Sequence, residues 1–248
     1  MPKDLTTLDI IAFCWFIGIW GMFTIAQDHL LNSRAFVNRH LVSIRVEWME
    51  QMLGRENRIM DAQLVGHTMN SCSFFASTTA LVLAGLVGSF GALERAHDMV
   101  GNLSFTAQVS RAFFETKLLV LVAIFTFAFF KFTWALRQYN YCCALLGSAP
   151  MPPVAESLKR ELAVSMAEAI TLAVRALNGG LRAYYFALAA LAWMVGPWAF
   201  MAASGFVLLV LVRRQGFSRT EKVIRAHAET MRRHQSDAAG SHTNGTGL

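Results

Sequence analysis

Long apolar runs alternate with charged stretches along this chain. Four runs reach the roughly 20 helical residues that a ~30 Å hydrocarbon core requires, at about residues 8–27, 69–93, 118–136 and 183–212. The first is apolar apart from Asp9 at its edge, Cys14 and Thr24. It is longer than a signal-peptide core, and no small-x-small cleavage site follows it, so it is expected to stay in the mature protein. The second carries Ala84, Gly85, Gly88 and Ala92, small residues that let helix backbones approach closely. The third is rich in Phe and closes with Trp134, Arg137, Tyr139 and Tyr141, aromatics and a cation suited to a membrane–water interface. In the fourth, Tyr184 and Tyr185 stand at one end and Arg213 and Arg214 at the other. Gly196-Pro197 lies near its centre, where a proline removes one backbone hydrogen bond, so one bent helix is expected there.

Two of the intervening segments have helical period. In residues 28–66, Leu41, Ile44, Trp48, Met52 and Ile59 recur at helical spacing, with Arg45, Glu47, Glu50, Arg55, Glu56 and Arg58 on other faces. After Pro150, Pro152 and Pro153, a second amphipathic helix begins near Val154 with Leu158, Leu162, Met166, Ile170 and Val174 on one stripe. Asn178-Gly179-Gly180 reads as its terminus. Residues 94–117 read as a loop with a brief amphipathic piece. The expected fold is therefore all-α: an integral membrane bundle of four transmembrane helices with two amphipathic interfacial helices. It occupies residues 1–217, and a basic, mostly disordered tail follows at 218–248.

Composition strengthens this picture. Hydrophobic residues make up 55% of the chain and charged ones 15%, where soluble domains carry about 25% charged residues. The net charge of +6 is spread over loops and tail, which suits an anionic lipid surface and offers no nucleic-acid motif. The four cysteines, Cys14, Cys72, Cys142 and Cys143, have no C-x-x-C or haem-attachment spacing. With four spans, Lys and Arg divide almost evenly between the two sides, so the positive-inside rule leaves the orientation undetermined.

Several motifs in order carry a family resemblance. They are Arg45-x-x-Trp48-x-x-x-Met52, Phe74-Phe75-Ala76-Ser77-Thr78-Thr79-Ala80-Leu81 and Phe130-Lys131-Phe132-Thr133-Trp134-x-x-Arg137-Gln138-x-Asn140-Tyr141. A fourth runs from Asn178-Gly179-x-x-Arg182-Ala183-Tyr184-Tyr185-Phe186-Ala187 to Trp193-x-x-Gly196-Pro197-Trp198. Over about residues 8–214 the chain resembles the membrane-protein family catalogued as domain of unknown function 599, found in bacteria and plants. The resemblance implies a multi-span membrane protein, placed in the cell membrane (the inner membrane of a bacterium), and brings no catalytic motif.

Candidate chemistry is sparse. Gln63, His67, Asn70, Ser77 and Thr78 fall on one stripe of the second span, where hydrocarbon satisfies none of their polar groups. The stripe is expected to face other helices, either as packing hydrogen bonds or as the lining of a site. Lys131, the ionisable residue well inside a run, either snorkels to the interface or holds an anion or lipid headgroup. Antiparallel second and third spans place it at the depth of Asn70, so His67, Asn70, Ser77, Thr78 and Lys131 form the candidate polar site. His29 and His67 share a membrane side, but nothing fixes their separation, and no metal or cofactor is expected. Run interiors contain no carboxylate, which argues against a proton- or sodium-coupled carrier. Walker, H-E-x-x-H and G-x-S-x-G motifs are missing. Three readings follow: a non-enzymatic scaffold or accessory protein that binds a protein partner or a second copy; a transporter or channel for a small solute, an anion or a lipid headgroup; and an enzyme or redox protein.

Overall fold

The computed structural model describes residues 5–30, 37–91, 110–216, 222–231 and 233, and every described element is helical. In chain order these are α1 (Thr7–Leu30), α2 (Val37–Leu53), α3 (Ile59–Gly91), α4 (Arg111–Gly147), α5 (Glu156–Leu191), a 3-10 turn at Ala192–Met194, and α6 (Pro197–Gly216). Among the described residues, five helices are long and apolar enough to cross a membrane: α1, α3, α4, α5 with its 3-10 turn, and α6. The expected loop at 94–117 lies outside the described residues up to Val109, and so does the expected disorder beyond about Gln235. Residues 222–231 of the tail are helical.

The expected single bent helix at 183–212 is instead a hairpin of two helices. In a continuous helix Tyr185 and Arg214 would stand about 43 Å apart at ~1.5 Å per residue. Here the Arg214 guanidinium donates to the Tyr185 hydroxyl at 3.1 Å. Likewise the Phe16 ring meets Phe186 on α5 at 5.8 Å and Phe200 on α6 at 4.9 Å. The reversal sits at Gly196-Pro197, where Gly196 takes φ +158°, a conformation that L side chains rarely adopt.

Proline at 197 has a second consequence. Continuing the helix would require the N–H of residue 197 to donate to the Trp193 carbonyl, and proline has none. The Lys117 ammonium supplies that bond at 2.8 Å. Trp193 in turn donates from its indole Nε1 to Asp9 at 2.9 Å and stacks on Phe200 at 4.9 Å. Asp9 and Lys117 are both buried. The starts of α1 and α4 are thus tied to the hairpin turn, and this marks one end of the bundle.

The expected helix terminus at Asn178-Gly179-Gly180 does not form, because these glycines face α4. A Cβ on Gly180 would lie 2.5 Å from the ring of Phe132, itself fully buried, so glycine lets α4 and α5 approach closely. The amphipathic stretch at 154–177 is accordingly the first half of α5, not a separate helix. Tyr184, expected at a membrane edge, is half-buried in the second half of α5. It packs against Phe75, Phe125 and Phe132 and shares a 2.8 Å hydrogen bond with Thr79 of α3.

The opposite end of the bundle carries α2. It lies along the first half of α5, where Arg45 donates to Thr171 at 3.2 Å and Arg160 pairs with Glu50. Asp61, buried at the start of α3, accepts from Trp48 Nε1 and Arg55 Nη1, each at 2.7 Å. Arg58 caps the turn between α4 and α5 through the carbonyls of Ala149 (2.9 Å) and Pro150 (2.6 Å). Burial lowers the pKa of the Arg45 guanidinium below its ordinary value, yet an arginine so placed stays charged. The amphipathic helix expected within residues 28–66 is thus present as Val37–Leu53, followed by a turn into α3.

Candidate functional site

The buried face of α3 consists of Asp61, Val65, Cys72, Ala76 and Thr79. Small side chains there let α3 reach α4, and Cys72 donates to the Phe132 carbonyl at 3.3 Å. The sequence-predicted stripe lies elsewhere on the helix. His67, Asn70 and Ser77 are exposed and Thr78 is half-buried, so the stripe points largely away from the bundle. The side chain of His29 falls outside the described residues.

Lys131 belongs to a different surface. Its stem runs over Gly179, where an added Cβ would stand 3.4 Å from Cδ, and its ammonium sits 5.4 Å from the centre of the Phe127 ring. It opens into a cavity of about 190 Å³ between α1, α4 and α5, lined by Trp20 and Thr24, by Phe127, Trp134 and Gln138, and by Arg175, Gly179 and Arg182 among others. None of the α3 stripe residues lines it, so the structure does not bring Lys131 together with His67, Asn70, Ser77 or Thr78.

Three cations, Lys131, Arg175 and Arg182, therefore converge on one cavity, and among the described residues no carboxylate lines it. Two of them went unrecognised in the sequence for one reason. Arg175 and Arg182 are seven residues apart, two helical turns, and share a face only if α5 continues through Gly179-Gly180. Their neighbour Gln138 ties the walls together when its amide nitrogen faces α5. It then donates to the Leu172 carbonyl at 3.0 Å and accepts from Trp134 Nε1 at 3.2 Å. Arg175, Arg182 and Lys131 offer ammonium and guanidinium donors, which suit phosphate or carboxylate oxygens. Among the described residues the lining presents cations, an amide and an indole N–H, groups that can hold an anion.

The Lys117–Trp193–Asp9 cluster is another polar feature that sequence reasoning missed. Its signal was Pro197, which leaves a carbonyl one turn earlier in need of a donor.

No match was found among curated proteins or among solved structures. The sequence model of one family does match, over residues 11–220, and covers both the hairpin and the basic cavity. The chain belongs to that family, the protein of unknown function DUF599.

Proposed function

We propose that the protein crosses the membrane five times and binds an anionic group in the cavity between α1, α4 and α5. The observation that carries this reading is the convergence of Lys131, Arg175 and Arg182 on one cavity.

Five crossings support a definite orientation. The N-terminus, residues 92–110 and the hairpin turn fall on one side, while α2, the α4–α5 turn and the C-terminal tail fall on the other. The segments 28–66, 137–175 and 213–248 hold sixteen Lys and Arg, against four at Lys3, Arg95, Arg111 and Lys117 on the hairpin side, with Lys131 and Arg182 inside the core. The positive-inside rule then makes the α2 side cytoplasmic. A four-span count gave near balance because it put the tail on the wrong side of this ledger. The membrane is the cell membrane, the inner one in a bacterium, and α2 with the first half of α5 lies at its cytoplasmic surface.

Depth agrees with an anion site. Taking Trp193 and Lys117 as the outer edge, Arg182 lies about 16 Å, Lys131 about 21 Å and Arg175 about 27 Å along their helices. In a ~30 Å core these cations descend through the cytoplasmic leaflet to its surface. Cations at this depth are costly unless counter-charge, hydrogen-bond acceptors or water meet them, and an anion bound between them adds counter-charge.

Native mass spectrometry after mild detergent extraction tests the reading. The wild-type protein should carry an anionic adduct that is lost in the Lys131→Met/Arg182→Met double variant. Equal adducts on two folded proteins would contradict an anion site. A second reading, an accessory subunit, draws support from the outward stripe of His67, Asn70 and Ser77. Polar groups exposed on a membrane-length helix find partners on a neighbouring helix. Disulfide crosslinking between copies bearing Ser77→Cys, in a background without native cysteines, would support it, and monomeric behaviour at all levels would not.

A further inference from the structure

The cation-lined cavity does not end at Lys131. A second groove of about 460 Å³ begins there, lined by Phe127, Phe130, Lys131, Thr133, Trp134 and Arg137. The two share Phe127, Lys131 and Trp134 as a common wall. Their chemistries differ: the first gathers three cations, while the second is open and is walled chiefly by Phe127, Phe130 and Trp134. These three aromatics occur at spacings of three and four on α4, so they form one ridge along the helix. All three are exposed on the bundle's outer surface, Phe130 at 65%.

Direction along the helix matters. From Arg137 to Trp134, Phe130 and Phe127, the ridge runs from the cytoplasmic end of α4 toward the bilayer midplane. An apolar chain lying on it would enter from the surface and point into the membrane, as the chains of the cytoplasmic leaflet do. The headgroup attached to such a chain would sit at Lys131, Arg175 and Arg182.

We infer that the site takes an amphiphile with a phosphate headgroup, the phosphate held by Lys131, Arg175 and Arg182 and the apolar chain laid along the Phe127–Phe130–Trp134 ridge. This rests on the anion-site reading and adds the nature of the ligand. A free anion would need the inner cavity alone, and a chain-bearing ligand would use both. A guanidinium can bind phosphate oxygens in pairs while the ammonium acts as a point charge, so the three cations match a phosphomonoester better than a masked, zwitterionic headgroup. The position of Lys131 on the shared wall makes it the junction between head and chain.

The experiment uses the full-length protein in nanodiscs of phosphatidylcholine, probed with dioleoyl phosphatidate and, separately, with inorganic phosphate. Binding is read by native mass spectrometry and by competition. Phosphatidate should bind at one per chain, phosphate should fail to displace it, and Lys131→Met should weaken it about tenfold or more, the scale of one charge-assisted contact. Phe130→Ala, a change at an exposed side chain that folding tolerates, should weaken phosphatidate several-fold. If inorganic phosphate binds and competes on equal terms, or if Phe130→Ala has no effect, the amphiphile is overturned while the anion site stands. If neither probe binds, or Lys131→Met leaves phosphatidate binding unchanged, the anion site falls with it.

Discussion

Gly179 and Gly180 are neighbours on α5 that meet different surfaces, and alanine at each separates the two roles. A Cβ at Gly180 would stand 2.5, 2.7 and 2.8 Å from three atoms of the Phe132 ring. That ring cannot retreat: it is fully buried and stacked on Phe75 at 5.5 Å. Overpacking of this kind costs about 1–3 kcal/mol, partly offset by the gain of up to ~1 kcal/mol that alanine brings to a helix interior. A Cβ at Gly179 meets the flexible Lys131 stem at 3.4 and 3.6 Å and the Arg182 guanidinium at 3.7 Å, ordinary contacts with movable side chains, so the helix gain survives there. Gly180→Ala should therefore lower the detergent-solubilised melting temperature by several degrees, at about 2–4 °C per kcal/mol. Gly179→Ala should leave it equal or higher. Adding Phe132→Leu to Gly180→Ala should restore part of the loss, because the smaller side chain vacates the clash. Unfolding followed by tryptophan fluorescence measures all four proteins. Equal melting temperatures for the two alanine variants would refute close α4–α5 contact at this point.

Lys117→Met should sharply reduce folded yield, since the buried Trp193 carbonyl loses its donor at about 1–3 kcal/mol and Asp9 loses a nearby opposite charge; size-exclusion profiles of the detergent extract measure this, and an unchanged profile would contradict the role given to Lys117. Asp61→Asn should loosen α2, because a buried carboxylate bonded to Trp48 and Arg55 becomes a neutral amide. Hydrogen exchange should then rise across Val37–Leu53 while α4 stays protected, and a uniform response would count against a local clamp. Trp134→Phe keeps the ridge but removes the indole donor to Gln138, so headgroup affinity should fall less than with Lys131→Met in the same nanodisc titration.

The elements that sequence pattern revealed are those whose apolar period decides their fate. Residues 8–27, 69–93 and 118–136 were legible as apolar runs, since length and hydropathy suffice for α1, α3 and α4. Two errors had a common origin. Glycine has several uses, and local sequence does not say which. Asn178-Gly179-Gly180 has the composition of a helix end, yet Gly180 admits the Phe132 ring, a partner 48 positions away. Gly196-Pro197 has the composition of a bend, and its full reversal depends on the Lys117 ammonium and the Phe200 ring. The cation cavity was illegible for the same reason, because Arg175 and Arg182 share a face only on an unbroken α5. Lys131 stood out alone as a charge within an apolar run. The α3 stripe was expected to face other helices, and polarity alone did not say that Cys72, Ala76 and Thr79 would be the inward side.

The hairpin at Gly196-Pro197 decides both the number of crossings and the leaflet of the cation cavity, so topology is the most direct measurement. Single cysteines are placed at Glu156, at Arg213 and at Arg111 in a background with Cys14, Cys72, Cys142 and Cys143 replaced. All three native side chains are exposed, Glu156 at 85%. Intact cells are treated with a membrane-impermeant maleimide before and after permeabilisation. Five crossings predict labelling at position 111 in intact cells, and at 156 and 213 only after permeabilisation. Labelling of 156 and 213 from opposite sides would contradict the hairpin and return α5 and α6 to a single crossing.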